Sequence, residues 1–184
     1  MIKKIILNND ELEVSLNRLA CQLSENHHDF SNSVLVGLQP RGKSLCNKIV
    51  DILSSKYKIP NVQFGFLDIT FFRDDFRRNK DILVPNKTEF KLLVENKRVV
   101  FIDDVLYTGR TIRAALTAIE SFGRPTSIEL LILVDRRFSR ELPIQPDYKG
   151  IQVDVYDDQK VNVEWNNKKF GNYIYIENLV NGKS

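Results

Sequence analysis

Cysteine, histidine and long apolar stretches are all scarce in this chain of 184 residues. Its two cysteines, Cys21 and Cys46, show no CxxC spacing and meet no pair of histidines at metal-ligand spacing, so neither a zinc site nor a disulfide framework is signalled. Buried thiols in a reducing compartment are expected instead. The two histidines, His27 and His28, stand side by side in what reads as a polar turn, which predicts solvated rings and leaves no visible pairing of nucleophile and base. The opening MIKKIIL has too short an apolar run for a signal peptide, and no segment approaches the roughly 20 apolar residues of a membrane helix, so a cytoplasmic protein is expected. Excess charge is also lacking. Against 24 acidic residues stand 27 Lys and Arg, a net +3 that suits phosphate ligands without demanding nucleic acid.

With 42% hydrophobic residues the chain is long enough for one well-buried domain, and residues 1–184 are read as one. Leu12, Leu16, Leu19, Ala20 and Leu23 recur at helical spacing behind Asn9 and Asp10, which can cap, and predict an amphipathic helix. SVLVG, Ser33 to Gly37, reads as a short strand; the loop Leu38 to Gly42 follows, and Leu45, Ile49, Ile52 and Leu53 mark a second helix. VQFGFLDIT, Val62 to Thr70, reads as a longer strand. VVFID, Val99 to Asp103, leads through a loop containing Thr108 and Gly109 into a helix carrying Ile112, Ala115, Leu116 and Ile119, and SIELLILV forms a further strand after Gly123, Arg124 and Pro125. Near-continuous apolar strands alternating with helices predict an α/β fold with a central parallel sheet flanked by helices, whose ligands gather at the strand carboxyl ends. Arg73 to Thr88 is charged and shows little periodicity, which fits a mobile lid or an ordinary solvated loop. From Lys160, the alternation of VNVEW and NYIYIE around NNKKFGN predicts a C-terminal antiparallel hairpin.

The most informative segment is VVFIDDVLYTGRT, Val99 to Thr111. A loop that starts a helix presents unpaired N–H groups and the positive end of the helix dipole, and so binds phosphate with little help from lysine. Thr108 and Thr111 add hydroxyls, and Gly109 lets the backbone approach closely or take a positive φ. Asp103 and Asp104 leave a buried strand just before that loop, where an ionised carboxylate is costly unless it meets donors or a cation. Sugar hydroxyls and a hydrated magnesium would supply both. The competing reading is a polar strand end with solvated aspartates, followed by an ordinary helix cap.

This segment resembles the phosphoribosyl pyrophosphate (PRPP) motif of type I phosphoribosyltransferases. VLVGLQPRG, LDITFFRDD, VVFIDDVLYTGRTIRAAL, GRPTSIELLILVDR and RELP occur in the order seen in one branch of that family, pyrimidine operon regulators that are also uracil phosphoribosyltransferases. The resemblance implies that fold, with a flexible loop, and a magnesium-dependent transfer of ribose 5-phosphate from PRPP to uracil. By it, Asp103 and Asp104 would hold the ribose hydroxyls, directly or through Mg2+. Val105, Leu106, Tyr107, Thr108, Gly109, Arg110 and Thr111 would form the donor loop around the 5-phosphate. Gln39, Pro40, Arg41 and Gly42 match the pyrophosphate loop, where the planar, always charged Arg41 can bind phosphate oxygens, and Arg73, with Asp74 and Asp75, matches the root of the flexible hood. Asp103, Asp104, Arg41 and Arg73 would then carry catalysis. A cation-like sugar requires positioning, neutralisation of the leaving group and exclusion of water rather than a protein nucleophile. A homodimer or higher homo-oligomer is implied, as are UMP or UTP and attenuator RNA as regulatory partners.

The chain also departs from that family. Purine salvage members place an aspartate before the TG pair; here Tyr107, with an unperturbed pKa of about 10, is a poor general base, which favours a pyrimidine acceptor. After Asp135 and Arg136 the chain runs Arg137, Phe138, Ser139 before RELPIQ, one residue longer than the family pattern and without its histidine. Gln145 replaces a basic residue, Asn17 and Cys21 replace threonine and histidine, and Pro40 replaces threonine. Arg18, Arg137 and Arg140 remain, but contacts to phosphates alone give salt-sensitive binding without sequence readout. After Pro146 the expected base pocket is altered, with Gly150, Ile151, Gln152, Val153, Asp154, Val155 and Tyr156 in place of GKNIPTS, so a different base is a further reading.

Overall fold

The centre of the molecule is built from runs of Val, Ile and Leu that can only be strands buried on both faces. The computed structural model describes residues 3–70 and 93–179. In chain order the elements are β1 (Lys3–Leu7), α1 (Asn9–His27), β2 (Ser33–Leu38), α2 (Gly42–Ser55), β3 (Gln63–Leu67), β4 (Arg98–Leu106), α3 (Arg110–Ile119), β5 (Ser127–Arg136), β6 (Tyr148–Val153), β7 (Gln159–Asn167) and β8 (Gly171–Asn178). Five strands in the order β3-β2-β4-β5-β6 pair in parallel, and a separate antiparallel sheet has the order β1-β8-β7. Because side chains alternate along a strand, Leu35, Val100, Ile102, Leu131 and Leu133 pack with α1 and α2, whereas Val34, Val36, Val99, Phe101 and Ile132 pack with α3. The expected parallel sheet between helices and the hairpin are both present.

Local chemistry sets the boundaries, some of which differ from expectation. α1 is capped by Asn8: its side chain accepts from the Glu11 N–H at 3.0 Å, while the Glu11 carboxylate accepts from the Asn8 N–H at 2.9 Å. Asn9 and Asp10, expected as caps, instead occupy the first turn. The strand expected over Val62 to Thr70 is shorter, because the Asp68 carboxylate accepts from both the amide and the hydroxyl of Thr70 and turns the chain. β4 is longer than expected. Its ladder with β5 continues to the Leu106–Asp135 pair, so Asp103 and Asp104 lie inside the strand rather than leaving it. Of the apolar residues read on α3, Ile112, Ala115 and Ile119 are buried, whereas Leu116 is 39% exposed. β1 and β6 were not foreseen; Gly150 to Val153, read as base pocket, belong to β6, a strand at the sheet's edge.

His27 is the clearest correction. It is buried rather than solvated, because it extends the inward stripe of Leu12, Leu16, Leu19 and Leu23 by one more helical turn. Its Nδ1 lies 2.8 Å from Ser33 Oγ, and its Nε2 lies 3.3 Å from both Glu129 Oε2 and the Tyr148 hydroxyl. Tyr148 donates to Glu129 Oε2 at 2.6 Å, and Arg98 Nη2 donates to Glu129 Oε1 at 2.8 Å. The network ties the end of α1 to the starts of β2, β4, β5 and β6, at the amino-terminal edge of the sheet.

Burial holds the His27 imidazole below its ordinary value and nearby Arg98 adds to the effect, while Glu129 opposes it. Acidification therefore protonates the unfolded chain first, and stability falls as pH drops from above the ordinary value of 6.5 through the lower folded one. The fall is at most about 1.4 kcal/mol per pH unit, the ceiling for one proton. Urea denaturation between pH 7.5 and 5 should show a steeper loss for the wild type than for His27→Asn; identical slopes would contradict a neutral, buried ring.

Candidate functional site

The carboxyl ends of β2, β4 and β5 converge on one cleft, as the topology of a parallel sheet requires. β4 supplies Asp103 and Asp104, 8% and 5% exposed at the cleft floor. Beyond Leu106 the chain turns through Tyr107, Thr108 and Gly109 into α3. Gly109 has φ +92°, a left-handed conformation that favours glycine, and no side chain caps the start of the helix. Thr108 Oγ1 lies at a long 3.4 Å from the Arg110 amide, so the first-turn N–H groups of α3 face a pocket of about 240 Å3 rather than strong internal partners.

The loop after β2 reaches the same cleft. Gln39 and Pro40, joined by a cis peptide bond, and Arg41 lead into α2 at Gly42. A Cβ at Gly42 would stand 2.2 Å from the Ile102 carbonyl oxygen, so only glycine allows α2 to begin this close to β4. That approach brings Arg41 Nη1 to 4.0 Å from Asp104 Oδ2. Burial pushes the Asp104 carboxyl above the usual carboxylate range, against the pull of the Arg41 guanidinium, and Asp103 Oδ1 accepts from the Asp104 N–H at 2.9 Å.

The main cleft, of about 320 Å3, is lined by Gln39, Pro40, Arg41, Asp103, Asp104, Val105, Tyr107 and Thr111, bringing together most of the residues expected from the sequence. Leu106, Thr108, Gly109 and Arg110 line the adjoining 240 Å3 pocket, and Gly42 lies beneath the loop. Arg73 and the loop Arg73 to Thr88 lie outside the described residues. Three lining residues were missed: Arg136 at the end of β5, and Lys160 and Val161 at the start of β7. The foreseen hairpin contained the last two, but nothing local reveals that it folds against the cleft. Gln152, from the segment read as base pocket, lines a different cleft of about 390 Å3.

Among the described residues no group of three or more His, Cys, Asp or Glu side chains could hold a metal ion. Adjacent Asp103 and Asp104 still fit magnesium, which takes one or two carboxylates and completes its shell with water and substrate oxygens.

Behind the loop between β4 and α3 runs a strap, residues 140–144. Arg140 pairs with Asp135 and donates from Nη1 to the Tyr107 carbonyl at 2.7 Å. The amides of Glu141 and Leu142 both donate to the Thr108 carbonyl, at 3.1 and 3.2 Å. The basic residues read as remaining RNA contacts are thus engaged within the fold: Arg140 here, Arg18 with the carbonyls of Lys149 and Gly150, and Arg137 with Asp154 at 2.8 Å.

A family model described as phosphoribosyl transferase domain matches residues 3–166. The bifunctional protein PyrR of Microcystis aeruginosa is 44% identical over 158 residues, covering 86% of this chain and 88% of its own length. Its counterpart in Haemophilus ducreyi is 40% identical over 162 residues, covering 88% and 89%. Among solved structures, a hypoxanthine-guanine phosphoribosyltransferase from Bacillus anthracis superposes with a TM-score of 0.67 at 15% identity, covering 95% of this chain and 98% of that one. A hypoxanthine phosphoribosyltransferase from Trypanosoma cruzi, in complex with IMP, gives 0.63 at 15% identity, covering 82% and 76%. At such identities the structural likeness carries the fold alone.

Breaking the strap is expected to be costly. The Arg140 and Asp135 side chains are 19% and 8% exposed, so Arg140→Gln, which leaves a buried carboxylate without its partner, should lower stability by about 3 kcal/mol. The exposed pair Arg110–Glu141, a comparable contact at 2.6 Å, should lose less than about 1 kcal/mol in Arg110→Gln. Equal losses in chemical denaturation would contradict the anchoring of the loop through Arg140.

Proposed function

Because this chain belongs to the phosphoribosyl transferase domain family, in its PyrR branch, we propose that it transfers ribose 5-phosphate from PRPP to uracil, giving UMP and pyrophosphate. The observation that carries this reading is one cleft with adjacent buried carboxylates at its floor, flanked by the uncapped start of α3 and by Arg41.

In this reading the 5-phosphate takes its hydrogen bonds from the first-turn amides of α3 and the hydroxyls of Thr108 and Thr111. Asp103 and Asp104 accept from the ribose hydroxyls and fix the sugar's C1 in the open cleft. Arg41 meets pyrophosphate from the β2 side, and its fork of N–H donors stabilises the charge that builds as the bond from C1 to the pyrophosphate oxygen breaks. The electron pair of that bond leaves with pyrophosphate; uracil N1 bonds to C1 and its proton passes to water. Arg73 is assigned a second contact to the leaving group on the strength of the motif alone. Asp103 and Asp104 would hold magnesium together with substrate oxygens, and the bound ion would supply charge neutralisation for pyrophosphate. A cation-like sugar needs positioning more than a protein nucleophile, and both histidines lie outside this site.

A second reading, a pyrimidine-responsive RNA-binding regulator of transcription, is favoured by the word bifunctional in the relatives' name. The internal bonds of Arg18, Arg137 and Arg140 weigh against sequence-specific RNA binding. With these groups occupied, binding to a pyrimidine leader RNA should be weak and lost on raising salt.

Purified protein with PRPP and magnesium, tested against uracil, hypoxanthine, guanine, xanthine and orotate, should release pyrophosphate with uracil. Absence of turnover with every base would overturn the enzyme reading. Asp104→Asn should lower kcat/KM for PRPP by about 100-fold or more while the circular dichroism spectrum stays unchanged. Unchanged activity would remove that carboxylate from the mechanism.

A further inference from the structure

We propose that Arg136 reads the acceptor base, donating to ring carbonyl oxygens and so selecting a dioxopyrimidine over an aminopyrimidine; this rests on the phosphoribosyltransferase reading above.

Topology separates the two halves of the cleft. β4 lies between β2 and β5. The β2 loop with Arg41 and the β4 loop with Thr108 and Gly109 account for a pyrophosphate and a 5-phosphate. The wall on the β5 side, made by Tyr107, Arg136, Lys160 and Val161, is the part of the cleft those anions leave over.

Arg136 stands in that wall in an unusual state. It is 5% exposed, yet no carboxylate among the described residues bonds to it. A guanidinium carries five N–H donors. Among the described residues its only side-chain hydrogen bond runs from Nη2 to the Tyr156 carbonyl at 3.2 Å, and Nε has no partner. Other arginines at this edge of the sheet are paired: Arg110 with Glu141, Arg137 with Asp154 and Arg140 with Asp135. A buried cation bonded to no carboxylate is expensive: burial pulls the Arg136 guanidinium below its ordinary pKa, and Tyr107 and the nearby Asp157 carboxylate oppose that only in part. It is held nonetheless, with its Cζ 3.9 Å from the centre of the Tyr107 ring.

The neighbouring chemistry defines what would relieve it. Lys160, the second cation in the wall, also has no ion pair among the described residues. The Tyr107 hydroxyl is turned towards Asp157 Oδ1, 3.4 Å away. With the Tyr107 donor directed away, Arg136 and Lys160 are the side chains that offer hydrogen-bond donors on this side of the cleft, with Val161 as an apolar contact for a ring face. A ring bearing two carbonyl oxygens meets donors there. An exocyclic amino group would set donor against donor and leave both unsatisfied, a penalty that buried polar sites turn into selectivity.

The test uses the full chain, with Arg136→Gln and Arg136→Lys. Arg136→Gln should raise KM for uracil at least tenfold, leave KM for PRPP within twofold, and narrow the preference for uracil over cytosine by a similar factor. Arg136→Lys, which keeps the charge but loses the fork, should fall between. Calorimetric titration with UMP and with ribose 5-phosphate gives a readout independent of turnover: the wild type should bind UMP more tightly, and Arg136→Gln should lose that margin while binding ribose 5-phosphate as before. An unchanged margin, no margin in the wild type, or an equal loss of both ligands would overturn the proposal. A margin that depends on Arg136 in a protein that turns over no base would instead retain this assignment and overturn the transferase reading.

Discussion

Two adjacent carboxylates inside the central strand of a parallel sheet constrain everything built around them. Buried charge is tolerated only beside donors or opposite charge, and Asp104 shows the strain of that position in its raised pKa. Relief comes from the next strand: Arg41 reaches Asp104 because Gly42 has no side chain to hold α2 away from the Ile102 carbonyl. The Cβ-less residue and the buried acid are thus one device. Remove the close approach of α2 to β4, and the acid loses its cation while the cleft loses the wall that carries Arg41.

The sheet carries polar burial at both of its ends, with opposite outcomes. At the amino-terminal edge, His27, Ser33, Glu129, Tyr148 and Arg98 satisfy one another, and the network closes on itself. At the carboxyl edge, Asp104 has its cation at the limit of contact, the start of α3 lacks a side-chain cap, and Arg136 keeps most of its donors. Residues of the same chemical types are therefore satisfied within the fold at one edge and left with unused hydrogen-bonding capacity among the described residues at the other.

How much of this could be read from the chain depended on how local the determinants are. β2, α2, β4 and α3 follow from apolar periodicity within a dozen residues, and the donor loop follows from Asp103 to Thr111 in the same way. The end of β4 did not, because a strand stops where its partner's ladder stops, and β5 continues to Arg136. His27 was legible through helical spacing from Leu23, but the polar look of HHD concealed it. β1 and β6 are short strands with mixed burial, so their patterns carry little signal. Arg136, Lys160 and Val161 join the cleft only through contacts between strands distant in sequence, which no local pattern encodes.

Lys160 and Val161 ride on β7, whose sheet is completed by β8 and then by β1, with Lys3 paired opposite Glu177. Closing that pairing brings together nearly the whole length of the chain, whereas the donor loop needs only β4, α3 and their neighbours. Loop-closure entropy makes the β1–β8 pairing the costliest contact to close, while the β4–α3 unit with its loop and the β7–β8 hairpin are local. The two termini of the described chain thus meet in one small sheet, and the side of the cleft that carries Lys160 and Val161 is tied to both of them.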